Sequence, residues 1–358
     1  MFREHLSTHP LATLPEQHRD AARAALSTAA GGDPKVALEA VSGGASGAII
    51  QRVDIEPAGS GNSAASLLLR IETARDPFRN PHRSYPCLRT AATAGIAPPV
   101  HVADADAGVV VMDFIRQQPI SEHPGGPAGV VRELGELAGR LQTTPVFPPL
   151  LDDFATVLDQ MLAMIEAAGV FAPGVLAPIH EGFEQVRTAY PWRGDAQVSS
   201  HNDVNPFNVL FDGDRLWLID WEIAFRNDPF ADIACVANNF IDPVALDGSP
   251  NKLEDTLLQA WLGRAPDHPT RSRLALMRQL NRLFYGCLMM STSIGQQPPE
   301  VDLVALTVDA FRVEVEAGRL ALGSLHLLHA LGKMQLAGFL AGLNADGFDE
   351  TLRKAASG

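Results

Sequence analysis

Ser200-His201-Asn202-Asp203-Val204-Asn205-Pro206-Phe207-Asn208 is followed, twelve residues after Asn208, by Asp220 within Leu218-Ile219-Asp220-Trp221-Glu222. Forward from Asn208, Val209-Leu210-Phe211 and Leu216-Trp217-Leu218-Ile219 are apolar runs separated by Asp212-Gly213-Asp214. Two strand-like runs around an Asp-Gly turn signal a β-hairpin. With the turn centred on Gly213-Asp214, Asn208 faces Ile219, so Asn208 and Asp220 stand side by side at the hairpin's open end. One hard oxygen donor on each strand makes a cation site. A single carboxylate with a single amide oxygen suits Mg²⁺, which keeps several waters and takes further ligands from substrate phosphates. Asp212 and Asp214 are turn residues in this reading.

Asp203, five residues before Asn208, is left for a different task. In phosphoryl transfer by kinases a catalytic-loop Asp accepts the proton of the attacking hydroxyl, while an Asn five residues on and a second Asp hold the metals. Asp203, Asn208 and Asp220 occur in that order, with His201 as the loop residue that fixes the backbone. The run from His201 through Asp220-Trp221-Glu222 to Asn227-Asp228-Pro229 and Asp232-Ile233-Ala234 resembles the choline/ethanolamine kinase branch of the aminoglycoside-phosphotransferase-like family. The resemblance implies a two-lobed, protein-kinase-like α+β fold. Its small β-rich N-terminal lobe, residues 1–115, would bind the nucleotide, and its larger, mainly helical C-terminal lobe, residues 116–358, would carry catalysis and substrate, with ATP in the cleft. The same resemblance gives Asp232 a structural role, supporting the catalytic loop by hydrogen bonds.

The N-terminal half carries its own signals. Ser42-Gly43-Gly44-Ala45-Ser46-Gly47 precedes a strand at 48–55, and backbone without side chains can approach phosphate oxygens closely. Gly43, Gly44 and Ser46 are therefore nucleotide-binding candidates. Arg70, in Leu67-Leu68-Leu69-Arg70-Ile71, resembles the basic residue that holds the phosphates in the choline kinase branch, and a guanidinium binds phosphate oxygens bidentately. The helix at 81–94 ends at Gly95-Ile96-Ala97-Pro98, as in the family, but the Glu that normally pairs with the strand's basic residue falls at Ser84. Either another carboxylate, Glu72 or Asp76, orients Arg70, or the nucleotide site is loosened. Val109 to Ile115 reads as a strand running into a hinge, where the resemblance places Met112, Asp113, Phe114 and Ile115 against the adenine.

For the acceptor, the resemblance points to Asp203, Trp221, Glu222 and Tyr285. Choline kinases enclose a quaternary ammonium in aromatic faces, each contributing about 0.5 to 2 kcal/mol. Here Ile223 and Leu288 occupy two of those places and Tyr285 a third, so the aromatic cage is incomplete.

Composition bounds the rest. At 358 residues the chain is long enough for two lobes, and residues 1–30 contain no apolar core of a secretory signal. Three scattered cysteines without metal-ligand spacing fit a reduced, cytoplasmic compartment. The net charge of −14, from 28 basic and 42 acidic residues, argues against nucleic acid and is compatible with a cationic substrate, although an acidic surface kept for solubility accounts for it equally. The apolar stretch 320–343 is interrupted by His326, His329, Lys333 and Gln335 and reads as a buried helix rather than a membrane span. Further helices are expected at 15–29, 130–141, 154–168, 173–190, 253–262, 272–292 and 301–317. The expected activity is transfer of the γ-phosphoryl group of ATP, with Mg²⁺, to a hydroxyl of a small amine-bearing molecule such as choline or ethanolamine. An aminoglycoside-type acceptor and a nucleotide-binding pseudokinase are the alternatives.

Overall fold

The computed structural model describes residues 10–41, 47–55, 65–75, 79–149, 153–192, 196–241, 250–321 and 323–356. Gly43, Gly44, Ser46 and Asp76 lie outside the described residues. The chain divides into two units, Met1–Pro124 with Phe207–Phe225, and Gly125–Pro206 with Arg226–Gly358.

The first unit is built on a five-stranded antiparallel sheet. Its strands are β1 (Val36–Ala40), β2 (Ile49–Ile55), β3 (Ala65–Ile71), β4 (Val100–Asp104) and β5 (Val109–Asp113), in the order β1-β2-β3-β5-β4. Alternation along β3 turns Leu67, Leu69 and Ile71 into the core, where they meet Val53, Val109 and Val111. Helix α1 (Glu16–Ala30) adds Ala22, Ala25 and Leu26 to this cluster, and Gly31, at φ 71°, ends it with a left-handed cap. Helix α2 (Pro81–Thr93) starts on a capping Asn80 with Pro at its first turn, and Gly95, at φ 66°, follows it. The segment 207–225 contributes the hairpin of β7 (Val209–Phe211) and β8 (Leu216–Leu218).

The second unit is mainly helical: α3 (Gly126–Gln142), α4 (Phe154–Ala167), α5 (Ala177–Ala189), α6 (Ala231–Val236), α7 (Pro250–Leu262), α8 (His268–Ser291), α9 (Val308–Glu316), α10 (Leu325–Leu343) and α11 (Phe348–Ala356). A short ribbon joins β6 (Val198–Ser200) to β9 (Phe225–Asn227). Asp267 caps α8 by accepting the Thr270 N–H at 3.0 Å. Glycines let α10 lie close on α8: a Cβ at Gly286 would meet Leu336 Cδ2 at 2.6 Å, and one at Gly332 would meet Met290 at 2.9 Å. Among the described residues no helix is long and apolar enough to cross a membrane.

Several helix starts differ from the expected ones: α3, α7 and α8 begin before 130, 253 and 272, α5 begins after 173, and α9 and α10 show the largest delays. The helix expected from 301 begins at Val308, because Asp302 turns the chain by accepting the Val304 N–H and Thr307 caps the helix through the Ala310 N–H. The helix expected from 320 begins at Leu325, where Ser324 accepts the Leu327 N–H. Helix α6, followed by a π turn at Ala237–Ile241, was not legible as a period, since all six of its residues are buried.

Candidate active site

In the first unit the hairpin forms as the apolar runs predict. Val209, Leu210 and Phe211 pair with Leu218, Trp217 and Leu216, and Asp212 Oδ1 accepts the N–H groups of Asp214 and Arg215, each at 2.8 Å. Gly213 supplies the positive φ of 101° that the turn requires. One step beyond the strands, the Ile219 N–H donates to Asn208 O at 3.0 Å. Asn208 and Asp220 therefore flank the open end of the hairpin. Asp220 adopts φ 61°, a left-handed conformation uncommon for a residue with a side chain.

Arg70 lies beside this end. Its Nη1 donates to Asp220 Oδ1 at 3.0 Å, its Nη2 to Glu222 Oε2 at 3.2 Å and its Nε to Glu72 Oε1 at 2.7 Å. Arg70 and Glu72 face the same way because strand side chains alternate with a period of two. Burial by itself would depress the Arg70 guanidinium, but Asp220, Glu72 and Glu222 more than offset it and hold its pKa above the usual arginine value. Burial, with Asp220 beside it, pushes the Glu222 carboxyl up to about 7 against the pull of Arg70. Of the two carboxylates named as partners for Arg70, Glu72 makes the contact; Ser84 is buried on α2. Trp221 is also buried, its indole N–H donating to Leu218 O at 3.1 Å, and Ile223 is buried as well.

The strand end expected to reach adenine is firmly paired. Met112 is buried opposite Leu68, the Asp113 N–H donates to Pro99 O at 2.9 Å and the Phe114 N–H donates to Ser66 O at 3.2 Å. The Phe114 ring lies under the Arg52 guanidinium, and Ile115 is half-buried.

In the second unit, the loop after β6 hangs on Asp232 of α6. Its two carboxylate oxygens accept the backbone N–H groups of His201 and Asn202 at 2.9 and 2.7 Å, which is the support expected of it. Asn202, at φ 63°, accepts the Asn227 amide at 2.8 Å and donates to Ser200 O. His201 is fully buried, and its Nδ1 accepts the Asp203 N–H at 3.2 Å, which fixes the backbone of the loop. Asp203 is half-buried. Its Oδ1 accepts from Asn205 Nδ2 at 2.8 Å and from the Tyr285 hydroxyl at 2.7 Å. A carboxylate held this way is a proton acceptor with a defined orientation.

The structure thus brings Arg70, Asn208, Asp220 and Glu222 together in one unit, and His201, Asp203 and Tyr285 in the other. Sequence reasoning gave no role to Asn205 or Asn227, although Asn205 stands two residues after Asp203, a spacing at which an Asn side chain reaches back to a local acceptor. It also passed over Tyr85 on α2, whose buried hydroxyl has no hydrogen-bond partner among the described residues and whose phenol is raised by burial and then by Glu72. Among the described residues no three His, Cys, Asp or Glu side chains converge on a metal position. The donor set at the hairpin end is one amide and one carboxylate, with Glu222 two residues on.

Comparison with known proteins follows the same lines. The model of a family described as "Phosphotransferase enzyme family" matches residues 38–275, well over half of the chain. A choline/ethanolamine kinase family protein from Mesorhizobium loti has a similar structure, with a TM-score of 0.63 at 21% identity, over 95% of this chain and 100% of that one. A choline kinase from Cryptosporidium parvum gives a TM-score of 0.61 at 13% identity, over 90% and 92%. At these identities the likeness is one of fold, a protein-kinase-like α+β architecture. Protein LicA of Haemophilus influenzae is 53% identical over 36 residues, which span 10% of this chain and only 14% of that relative.

Proposed function

The chain belongs to the phosphotransferase enzyme family, and from that premise we propose that it transfers the γ-phosphoryl group of ATP to a hydroxyl of a small amino-alcohol such as ethanolamine or choline. The observation that carries this reading is the juxtaposition of Asn208 and Asp220 at the open end of the hairpin, with Arg70 bonded to Asp220. Asp203 is the base that takes the acceptor's proton, and His201 holds its loop. Arg70 meets the nucleotide phosphates, and the glycine-rich turn with Gly43, Gly44 and Ser46 covers them. Residues Met112 to Ile115 meet the adenine, and Glu222 belongs to the acceptor side.

Hard oxygen donors on Asn208 and Asp220 fit Mg²⁺. When bound there, the ion supplies charge neutralisation on the phosphates. The division of labour follows the sequence, with nucleotide binding in residues 1–115 and catalysis in 116–358. A cytoplasmic location belongs to the same reading, since Cys87, Cys235 and Cys287 are all free and buried. Glu72, by taking the Nε of Arg70, weighs against a pseudokinase that has lost the partner of its phosphate-binding residue.

For the acceptor, Ile223 is aliphatic and Trp221 is buried, so neither offers an aromatic face to a quaternary ammonium. A primary amine, hydrogen-bonded by carboxylates, is favoured over choline. The test is a thermal-shift screen with ATP and Mg²⁺, followed by an acceptor panel of ethanolamine, choline and an aminoglycoside. Stabilisation by Mg²⁺-ATP with ethanolamine turned over faster than choline is expected. No stabilisation by any nucleotide would remove the reading, and turnover of the aminoglycoside alone would move the acceptor to that class.

A further inference from the structure

We propose that Tyr285 is a positioning residue for the carboxylate of Asp203, held against it from helix α8, and not a wall of the acceptor pocket. The inference rests on the reading of Asp203 as the general base.

The Tyr285 hydroxyl lies 2.7 Å from Asp203 Oδ1, 2.7 Å from Asn202 O and 3.3 Å from Cys235 Sγ. A phenol has one hydrogen to give, and a carboxylate and a carbonyl can only accept. That hydrogen therefore serves the two loop oxygens, while the Cys235 thiol has Val204 O as a second partner at 3.3 Å. Burial, and then the charge of Asp203, push the phenol well above its usual pKa, so it stays a donor. Asn205 Nδ2 reaches the same carboxylate oxygen at 2.8 Å. Two donors from different elements, one on the loop and one on a 24-residue helix, thus converge on Oδ1 and set the carboxylate's orientation. Tyr285 is only 6% exposed and its ring makes a T-shaped contact with that of Phe284 at 5.5 Å, so it is packed in the core and not offered to an ammonium group. The hydroxyl is the part of this side chain with work left to do, and its partner is the base.

The test is a double-mutant cycle. Phosphoryl transfer from Mg²⁺-ATP to ethanolamine, and to water when ethanolamine is absent, is measured for the full chain, Tyr285→Phe, Asp203→Asn and the double variant. Tyr285→Phe keeps the ring and its packing. It is expected to lower kcat roughly 10- to 100-fold while KM for ATP stays within about twofold, because only the orientation of the base is lost. Added to Asp203→Asn, it is expected to cause no further loss, since no charged base remains to be oriented. Wild-type kcat in Tyr285→Phe, or a double variant that falls as far again as the single one, overturns the positioning role. An unchanged kcat in Asp203→Asn strikes instead at the general-base reading. If wild type transfers phosphate to neither acceptor, crystal structures decide: the Asp203 carboxylate is expected to leave its present orientation in Tyr285→Phe, and an unmoved carboxylate overturns the proposal.

Discussion

Arg70 reaches across 150 residues of chain to place its Nη1 3.0 Å from Asp220 Oδ1, while Glu72 holds its Nε at 2.7 Å. The guanidinium read as a phosphate ligand and the carboxylate read as a cation ligand thereby neutralise each other, and Glu72 anchors the arginine by its remaining nitrogen, Nε, with Nη2 on Glu222.

A lysine cannot reproduce three contacts spread over three nitrogens. Arg70→Lys is expected to raise KM for Mg²⁺-ATP by roughly tenfold or more, and Arg70→Ala to lower stability by about 3 kcal/mol, because it leaves three carboxylates facing one another in a site where Arg70 is 13% exposed. Steady-state kinetics and chemical denaturation check the two outcomes.

Removing the Asp220 carboxylate should abolish the Mg²⁺-dependent part of the ATP thermal shift, since the charged oxygen of the cation site is gone. Asn208→Ala should weaken it less. An Asp220→Ala protein with a wild-type Mg²⁺-ATP shift would count against the hairpin end as the cation site.

Asp232→Ala leaves the buried N–H groups of His201 and Asn202 without acceptors, each costing about 1 to 3 kcal/mol. A fall in Tm is expected together with a loss of kcat, because the loop that carries Asp203 hangs on these two bonds. Asp232→Asn, which keeps one acceptor oxygen, should fall between. Calorimetry of the three proteins orders them.

Burial works to raise the Glu300 carboxyl, but hydrogen bonds from Lys333 and His329 outweigh it and hold its pKa below the usual glutamate value. A depressed carboxylate pKa means that the folded state binds fewer protons than the unfolded one, so the stabilisation is complete above the unfolded value, about 4.3, and is lost as pH falls through the folded value. The Tm difference between wild type and Glu300→Gln is expected to be constant near neutral pH and to shrink toward zero in acid. A difference that grows as pH falls would contradict this pairing.

What could be read directly from the sequence was local. The Asp212-Gly213 turn, the pairing of Asn208 with Ile219 and the place of Asp203 five residues before Asn208 depend on hydrogen bonds and periods that span only a few residues. The support given by Asp232 could be inferred only through resemblance, because its partners lie 30 and 31 residues earlier. Periodicity alone misplaced the start of α9, where a side-chain turn at Asp302 and a cap at Thr307 outcompeted an apolar pattern that continues upstream. Only the tertiary structure decided which carboxylate takes Arg70, that Trp221 is packed, and that the Tyr285 hydroxyl belongs to Asp203. These depend on how side chains far apart in sequence compete for a few buried donors and acceptors. That competition is settled by the path of the backbone, which brings Arg70 to Asp220 and Tyr285 to Asp203, and no short window of residues contains it.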